Sequence, residues 1–306
     1  VLLYGLVVVV AIGATELLSR ALGASADSFD PSDIALARSL GFVVVGGALL
    51  LLLGLWTHKR LRSDPHTENT AIYASYLTLT ALTALLVSAF SLGPTLGNAA
   101  DGYVNGRGIS TVVVWGFVWL VHWTLTQRDL SQERNTPHLL LGSLVAVGFA
   151  TTGFVFTFQA AANLAIAPSL VIGGSAPAAT SAGFLIAGAL IWVRYWVTHA
   201  QGLPRGPLWM LFTLPLGVGG GLALALGAGG LFLWKTLVWF LGVPGMQTAG
   251  QYFTATATQA ALALAGLIIW WYFRTTLGER VSADHTSRRI YLYLMSGIGL
   301  LTAAVG

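Results

Sequence analysis

Long apolar runs separated by short polar connections make up most of this chain. A run of about 20 apolar residues crosses the hydrocarbon core of a bilayer as a helix. Lipid offers the backbone no hydrogen-bond partners, and the strands of a β-barrel would be about 10 residues long with alternating polarity, so only helices fit. We therefore predict an all-α, polytopic transmembrane protein of about nine spans, at residues 1–22, 37–57, 71–92, 109–127, 137–160, 179–198, 206–233, 252–274 and 287–306.

Four of the runs share one layout, which indicates an internal repeat of two-helix hairpins. Each begins with glycine or small hydroxyl residues, ends in tryptophan and basic residues, and is followed by a polar loop and another run. The tryptophans Trp56, Trp123, Trp196 and Trp271 are 67, 73 and 75 residues apart. Since the outer two units are incomplete, we expect the polypeptide to continue past both ends. The predicted organisation is one transmembrane domain, 1–306, with hairpins at about 1–36 (partial), 37–106, 107–178, 179–251 and 252–306 (truncated).

Lysine and arginine are distributed unequally between the two sets of connections. The loops 58–70, 128–136, 199–205 and 274–289, taken with Arg194, carry eleven of them, whereas the remaining connections carry four. The positive-inside rule therefore predicts that the first set is cytoplasmic. Only 8% of the residues are charged, against about a quarter in soluble domains. These few charges form no continuous track for phosphates, so nucleic acid is excluded as a partner.

The aromatic and basic ends of the runs have two interpretations. Tryptophan and arginine anchor helices at the interface between hydrocarbon and headgroups, as any multi-pass protein requires. Alternatively, the basic face binds an anionic lipid or another protein subunit. Its densest points in the sequence are Lys59, Arg60, Arg62, Arg288 and Arg289.

Few residues inside the runs can carry chemistry. Glu16 and Arg20 are one helical turn apart and are expected to pair, although a proton or ion site is the alternative. The absence of cysteine excludes disulfides and thiolate metal sites,. His122 lies within a run and His199 near the end of a related one, so they are the candidate ligands of a haem or a chlorophyll-type pigment. Interfacial polar residues are the simpler interpretation, so we predict no metal and no cofactor, only bound lipids.

The run at 206–233 is interrupted by Pro215 and by several glycines, Gly217 and Gly221 among them. Interruptions of this kind surround the substrate site of many transporters. Glycines four residues apart also permit close helix packing, and a proline bends a helix. The sequence favours packing, because no polar side chain accompanies the break.

The ending SRRIYLYLMSGIGLLTAAVG resembles an uncharacterised bacterial family of multi-pass membrane proteins, a domain of unknown function built of tandem hairpins. The resemblance is specific chiefly at Arg288, Arg289, Tyr291, Tyr293, Gly297 and Gly299. The resemblance implies an all-helical repeat fold in the bacterial plasma (inner) membrane, and it supplies no catalytic residues. The third repeat departs from the pattern, since PRGPLWM stands in place of its Arg-Arg-x-Tyr opening.

These observations favour a protein without enzymatic activity. Our first hypothesis is an integral membrane scaffold or accessory subunit of a larger bacterial membrane complex, with lipids and other membrane subunits as partners. The alternative is a transporter or channel for a small neutral or lipidic solute, with its site at the broken helix 206–233.

Overall fold

The computed structural model describes residues 2–23, 32–63, 71–166, 176–242 and 248–278, together with six isolated positions between 289 and 300. Within this part of the chain every regular element is a helix, so the prediction of an all-α fold is confirmed.

Eight helices cover the described residues, and we number them in chain order. Some contain a change of helical type, which is described below. They are α1 Leu2–Ala21, α2 32–63, α3 Ala71–Ala100, α4 Gly106–Asp129, α5 Gln132–Ile166, α6 Ala176–Ala200, α7 Pro207–Leu241 and α8 Ala249–Leu277.

All eight helices are long and apolar enough to cross a membrane, with mean hydropathies between 1.5 and 2.3 over their most apolar stretches. The fold is therefore that of a multi-pass membrane protein. Several helices exceed the predicted spans; α5, for instance, contains 35 residues. The predicted ninth span, 287–306, lies outside the described residues apart from the isolated positions.

The chain divides into two compact units, Val1–Ala146 and Val147–Gly306. The boundary falls within α5, whose first turns belong to the first unit and whose later turns belong to the second. The division into two-helix hairpin repeats, with the boundaries given above, remains a prediction from the sequence.

In the first unit, α1, α3 and α4 enclose a small apolar core around Ala11, Ala84 and Trp115. The helices α3 and α4 are antiparallel, because Tyr76 early in α3 contacts His122 late in α4, whereas Ser88 later in α3 contacts Val112 early in α4. Along this seam the hydroxyl of Ser88 donates to the carbonyl of Val112 at 3.4 Å. Small and hydroxyl-bearing side chains thus allow close approach and also satisfy their own polar groups.

In the second unit, glycines bring neighbouring helices into backbone contact. A Cβ added to Gly153 of α5 would meet the backbone of Leu185 in α6. In the α7–α8 pair, a Cβ added to Gly221 would lie 2.5 Å from the backbone nitrogen of Trp270 and 3.0 Å from the carbonyl oxygen of Gly266. Small residues at such positions let van der Waals packing hold helices together where lipid supplies no hydrophobic driving force.

Three stretches of the helices are π-helical: Phe42–Gly46 in α2, Val193–Ala200 in α6 and Phe212–Gly219 in α7. The last contains Pro215, which has no N–H to donate and whose ring crowds the preceding turn of an α-helix. Widening of the helix accommodates this proline, so α7 changes its helical type at the predicted break but remains helical,.

Candidate functional site

The first unit contains a partly buried polar cluster between α3 and α4, formed by Tyr73, Tyr76, His122 and Asp129. The hydroxyl of Tyr73 donates to Oδ2 of Asp129 at 2.9 Å, and the hydroxyl of Tyr76 lies 3.1 Å from Nε2 of His122. The two tyrosine rings are stacked with their centroids 6.3 Å apart. The cluster therefore links α3 to α4 at two points, which are Asp129 in the last turn of α4 and the buried His122 about two turns before it,.

The protonation of His122 follows from its backbone contact. Nδ1 lies 2.8 Å from the carbonyl oxygen of Val118, and a carbonyl can only accept,. Nδ1 therefore carries the hydrogen, and Nε2 of the neutral ring accepts from the hydroxyl of Tyr76. Since both ring nitrogens are engaged and the residue is only 6% exposed, His122 could bind a haem or a pigment only by giving up one of these hydrogen bonds.

Beside this cluster, the indole of Trp123 lies between α4 and the first turns of α5. Trp123 is 1% exposed, and its ring centroid is 5.6 Å from that of the fully buried His138. The interfacial-anchor interpretation does not hold for Trp123, because the side chain faces protein and not headgroups.

The second unit contains a larger cluster of aromatic side chains from α6, α7 and α8. Trp196 lies at its centre, is fully buried, and donates its Nε1 hydrogen to the hydroxyl of Tyr272 at 3.0 Å. Trp209 stacks on Trp196 and donates to the carbonyl of Ala200 at 3.0 Å. We call this set the aromatic cluster; its members are Trp192, Trp196, Trp209, Phe212, Tyr272 and Phe273.

The geometry of the aromatic cluster suits a structural role. Phe212 and Phe273 meet Trp196 with centroids 5.2 and 5.3 Å away, and most of its ring pairs are tilted or edge-to-face, as aromatic rings prefer,. The indole N–H groups of Trp196 and Trp209 both have acceptors. The cluster thus fixes α6, α7 and α8 relative to one another, and here too the anchor interpretation fails for Trp196.

The second candidate cofactor ligand, His199, is partly exposed near the end of α6. Its Nδ1 lies 2.9 Å from the carbonyl of Arg194 and 2.6 Å from the hydroxyl of Thr198. His122 and His199 belong to different compact units, and their role as candidate ligands of a haem or a pigment stays a hypothesis. In the part of the chain that is described, no three histidine or carboxylate side chains come close enough to hold a metal ion.

The predicted basic positions are described only in part. Lys59 and Arg60 are exposed in the last turns of α2, and Arg289 is exposed. The side chain of Arg62 and the whole of Arg288 lie outside the described residues.

Arginines also stack on tryptophans at three helix ends. The guanidinium carbon lies over the indole at 5.5 Å for Arg60–Trp56, at 5.3 Å for Arg205–Trp209 and at 5.2 Å for Arg274–Trp270. For Arg60, whose partner Trp56 is exposed, this arrangement is the one expected of side chains at a membrane interface,. Trp209 is buried in the aromatic cluster, so Arg205 covers the edge of that cluster.

Two of the three residues of the predicted helix break, Gly217 and Gly221, lie in the α7–α8 contact. Pro215 is in the π-helical stretch, Gly217 faces the ring of Phe273, and Gly221 faces the backbone of Trp270. The space beside both glycines is therefore occupied by α8. Close to the start of the chain, Glu16 and Arg20 form the predicted ion pair, with 3.4 Å between Oε1 and Nε.

Sequence reasoning missed the residues that complete both clusters. Tyr73, Tyr76 and Asp129 have no motif, although two tyrosines three residues apart on an apolar helix share one face. Trp209 and Phe273 belong to apolar runs in which no side of the helix stands out, so their inward orientation has no signal in the sequence.

Taken together, the fold and its clusters define a multi-pass helical membrane protein whose described interior contains an aromatic cluster, closely packed small residues and a hydrogen-bonded polar cluster. Residues 1–105 match the model of a family described as a domain of unknown function, DUF5671. No curated protein and no solved structure matches the chain. The predicted resemblance to a domain of unknown function is confirmed over α1, α2 and α3. The residues on which it was based, in 287–306, lie outside the match.

Proposed function

We propose that this protein is a non-catalytic scaffold or accessory subunit of a larger complex in the bacterial plasma membrane, with the basic loops 58–70, 128–136, 199–205 and 274–289 on the cytoplasmic side. The observation that carries the proposal is that three ionisable groups within the described part of the fold are held by other groups of the chain. Glu16 pairs with Arg20, Asp129 accepts from Tyr73, and both nitrogens of His122 are bonded. A carrier of protons or ions needs such groups to face its transport path.

The surface also supports the proposal. The stretch Ile34–Arg60 of α2 has the highest mean hydropathy of the eight spans, 2.3, and only 6% of its most apolar window is buried within the protein. An almost entirely exposed apolar helix is available to lipids and to other membrane subunits.

Purification under mild conditions tests this role. The chain, tagged at its own genomic locus, is extracted from native membranes in a gentle detergent or a lipid-retaining polymer, and its mass and composition are measured. We expect a stoichiometric assembly containing at least one other membrane protein. Recovery of this chain alone, whether as a monomer or as an assembly of identical copies, would overturn the accessory role.

A transporter or channel for a small neutral or lipidic solute is the second candidate. The π-helical stretch Phe212–Gly219 favours it, because π-helical segments occur often at functional sites,. The space beside Gly217 and Gly221 is filled by α8, so a solute would have to use another face of α7 or displace that helix.

Flux into proteoliposomes tests the second candidate. Gly220→Ala is a suitable variant, because the added Cβ would have only ordinary contact, 3.7 Å from the carbonyl of Pro215, while stiffening the stretch,. Flux that falls in this variant but not in Gly227→Ala, whose Cβ meets nothing within 4 Å, would support transport. Equal flux with and without the protein for all solute classes would exclude it.

A further inference from the structure

Two tyrosines of the polar cluster are each hydrogen-bonded to a side chain that can take up a proton. The hydroxyl of Tyr76 lies 3.1 Å from Nε2 of His122. The hydroxyl of Tyr73 donates to Oδ2 of Asp129 at 2.9 Å. Imidazole and carboxylate are both bases, and both distances are within the range over which a proton passes directly from a donor to a base. Each phenol therefore has an acceptor for its proton already in place.

Two other tyrosines of the described chain have hydrogen-bond partners that are not bases. The hydroxyl of Tyr252 donates to the backbone carbonyl of Lys235 at 2.8 Å, and the hydroxyl of Tyr4 lies 3.2 Å from that of Thr83. Neither a peptide carbonyl nor an alcohol holds an extra proton at neutral pH. The pairing of a phenol with a base thus distinguishes the polar cluster from these two positions. Tyr252, which is partly buried like the tyrosines of the cluster, is a matched comparison.

His122 can accept the proton of Tyr76 without losing either of its hydrogen bonds. Its Nδ1 hydrogen stays on the carbonyl of Val118, 2.8 Å away, because both nitrogens of an imidazolium are donors,. The new hydrogen on Nε2 then points back at the oxygen that released it, so this bond reverses its direction and is not broken. Since His122 is only 6% exposed, water does not compete for the proton.

The two phenols are also close enough to exchange an electron. The rings of Tyr73 and Tyr76 are stacked with 6.3 Å between their centroids and 29° between their planes. An electron removed from Tyr76 can therefore be replaced from Tyr73, with the proton of Tyr73 moving to Asp129 and that of Tyr76 returning from His122. The side chain of Asp129 is 15% exposed in the last turn of α4. This second step moves the oxidised site from the interior toward the end of the helix.

We propose that Tyr76 is a redox-active tyrosine that reduces lipid peroxyl radicals. These oxidants arise in the acyl chains around membrane-spanning helices such as α3 and α4, and phenols reduce them. One electron passes from Tyr76 to the radical, which becomes a lipid hydroperoxide anion, while the phenol O–H bond breaks and its proton forms an N–H bond at Nε2 of His122. Water then protonates the anion to the lipid hydroperoxide. A neutral tyrosyl radical and an imidazolium remain. The activity is independent of the accessory role, which concerns other proteins.

The full chain reconstituted in liposomes of polyunsaturated phosphatidylcholine tests this activity, with a lipid-soluble azo compound as the source of peroxyl radicals. Electron paramagnetic resonance of samples frozen during the reaction detects tyrosyl radicals, and oxygen uptake follows the oxidation of the lipid. We expect a tyrosyl signal, together with a delay in oxygen uptake that is absent from protein-free liposomes. Oxygen uptake without any delay would overturn the proposal.

Three variants locate the radical and the base. Tyr76→Phe should lose the tyrosyl signal and the delay, whereas Tyr252→Phe should keep both. His122→Gln retains a hydrogen-bond acceptor but no base, so it should lose the signal although Tyr76 is still present. Helical circular dichroism checks that each variant is folded. The proposal would be wrong if Tyr76→Phe or His122→Gln gave the signal of the unaltered chain, or if Tyr252→Phe reduced it equally.

The unaltered chain gives a further measurement that a folding defect in a variant cannot affect. After equilibration in D₂O, the tyrosyl radical should form more slowly than in H₂O, because the phenol proton of Tyr76 moves together with the electron. Equal rates in the two solvents would show that the electron leaves without proton transfer to His122, and would overturn the assigned role of the pair.

Discussion

The α7–α8 contact offers a substitution whose cost can be worked out from the structure. In Gly221→Ala, the added methyl would lie 2.5 Å from the backbone nitrogen of Trp270 and 2.9 Å from its Cα, whereas ordinary contacts begin near 3.4 Å. Because backbone atoms cannot rotate away, α7 and α8 must separate by about 1 Å. Overpacking of this kind costs about 1–3 kcal/mol, and the better helix propensity of alanine offsets up to about 1 kcal/mol of it.

The matched control lies on the same helix. Gly227 is exposed and its added Cβ would meet nothing within 4 Å. Gly227→Ala should therefore keep or raise the free energy of unfolding by up to about 1 kcal/mol, whereas Gly221→Ala should lower it by about 1–2 kcal/mol. Unfolding in mixed micelles of rising denaturing-detergent content, followed by tryptophan fluorescence, measures both. Equal stabilities for the two variants would refute the close contact of α7 with α8.

The polar cluster and the aromatic cluster give two further predictions, which the same unfolding assay measures. Tyr76→Phe should lower the free energy of unfolding by about 1–3 kcal/mol, because it leaves Nε2 of His122 buried without a donor,. The control Tyr103→Phe, at an exposed position, should leave the free energy of unfolding unchanged. Equal stabilities of the two variants would contradict the hydrogen bond between Tyr76 and His122. Tyr272→Phe removes the hydroxyl that accepts from the buried indole of Trp196. It should lower the free energy of unfolding by about 1 kcal/mol. An unchanged stability would mean that the indole finds another acceptor.

Hydropathy predicted the existence of the helices well and their lengths less well. The predicted run 71–92 corresponds to the helix Ala71–Ala100, because a helix continues beyond the hydrocarbon core wherever its backbone remains hydrogen-bonded,. The additional turns contain Pro94 and Asn98, which lower the local hydropathy without ending the helix.

The interior was harder to predict, because a helix surrounded by lipid is apolar on every side. Trp56 and Trp123 follow the same sequence pattern, yet the first is 58% exposed and the second 1%. Only the neighbouring helix distinguishes them, and the pattern within one helix carries no information about its neighbour. Gly217 and Gly221 were easier, since small residues four apart identify a face that another helix can approach closely.

The alternating passage of the helices through the membrane is the claim on which the rest depends, and cysteine labelling tests it most directly. Single cysteines are introduced at the exposed positions Tyr103, Arg128, Gln201 and Gly242, and intact cells are treated with a thiol reagent that does not cross membranes. We predict labelling of Tyr103→Cys and Gly242→Cys from outside, and of Arg128→Cys and Gln201→Cys only after permeabilisation. Labelling of Tyr103→Cys and Arg128→Cys from the same side would contradict the account, because these positions flank α4.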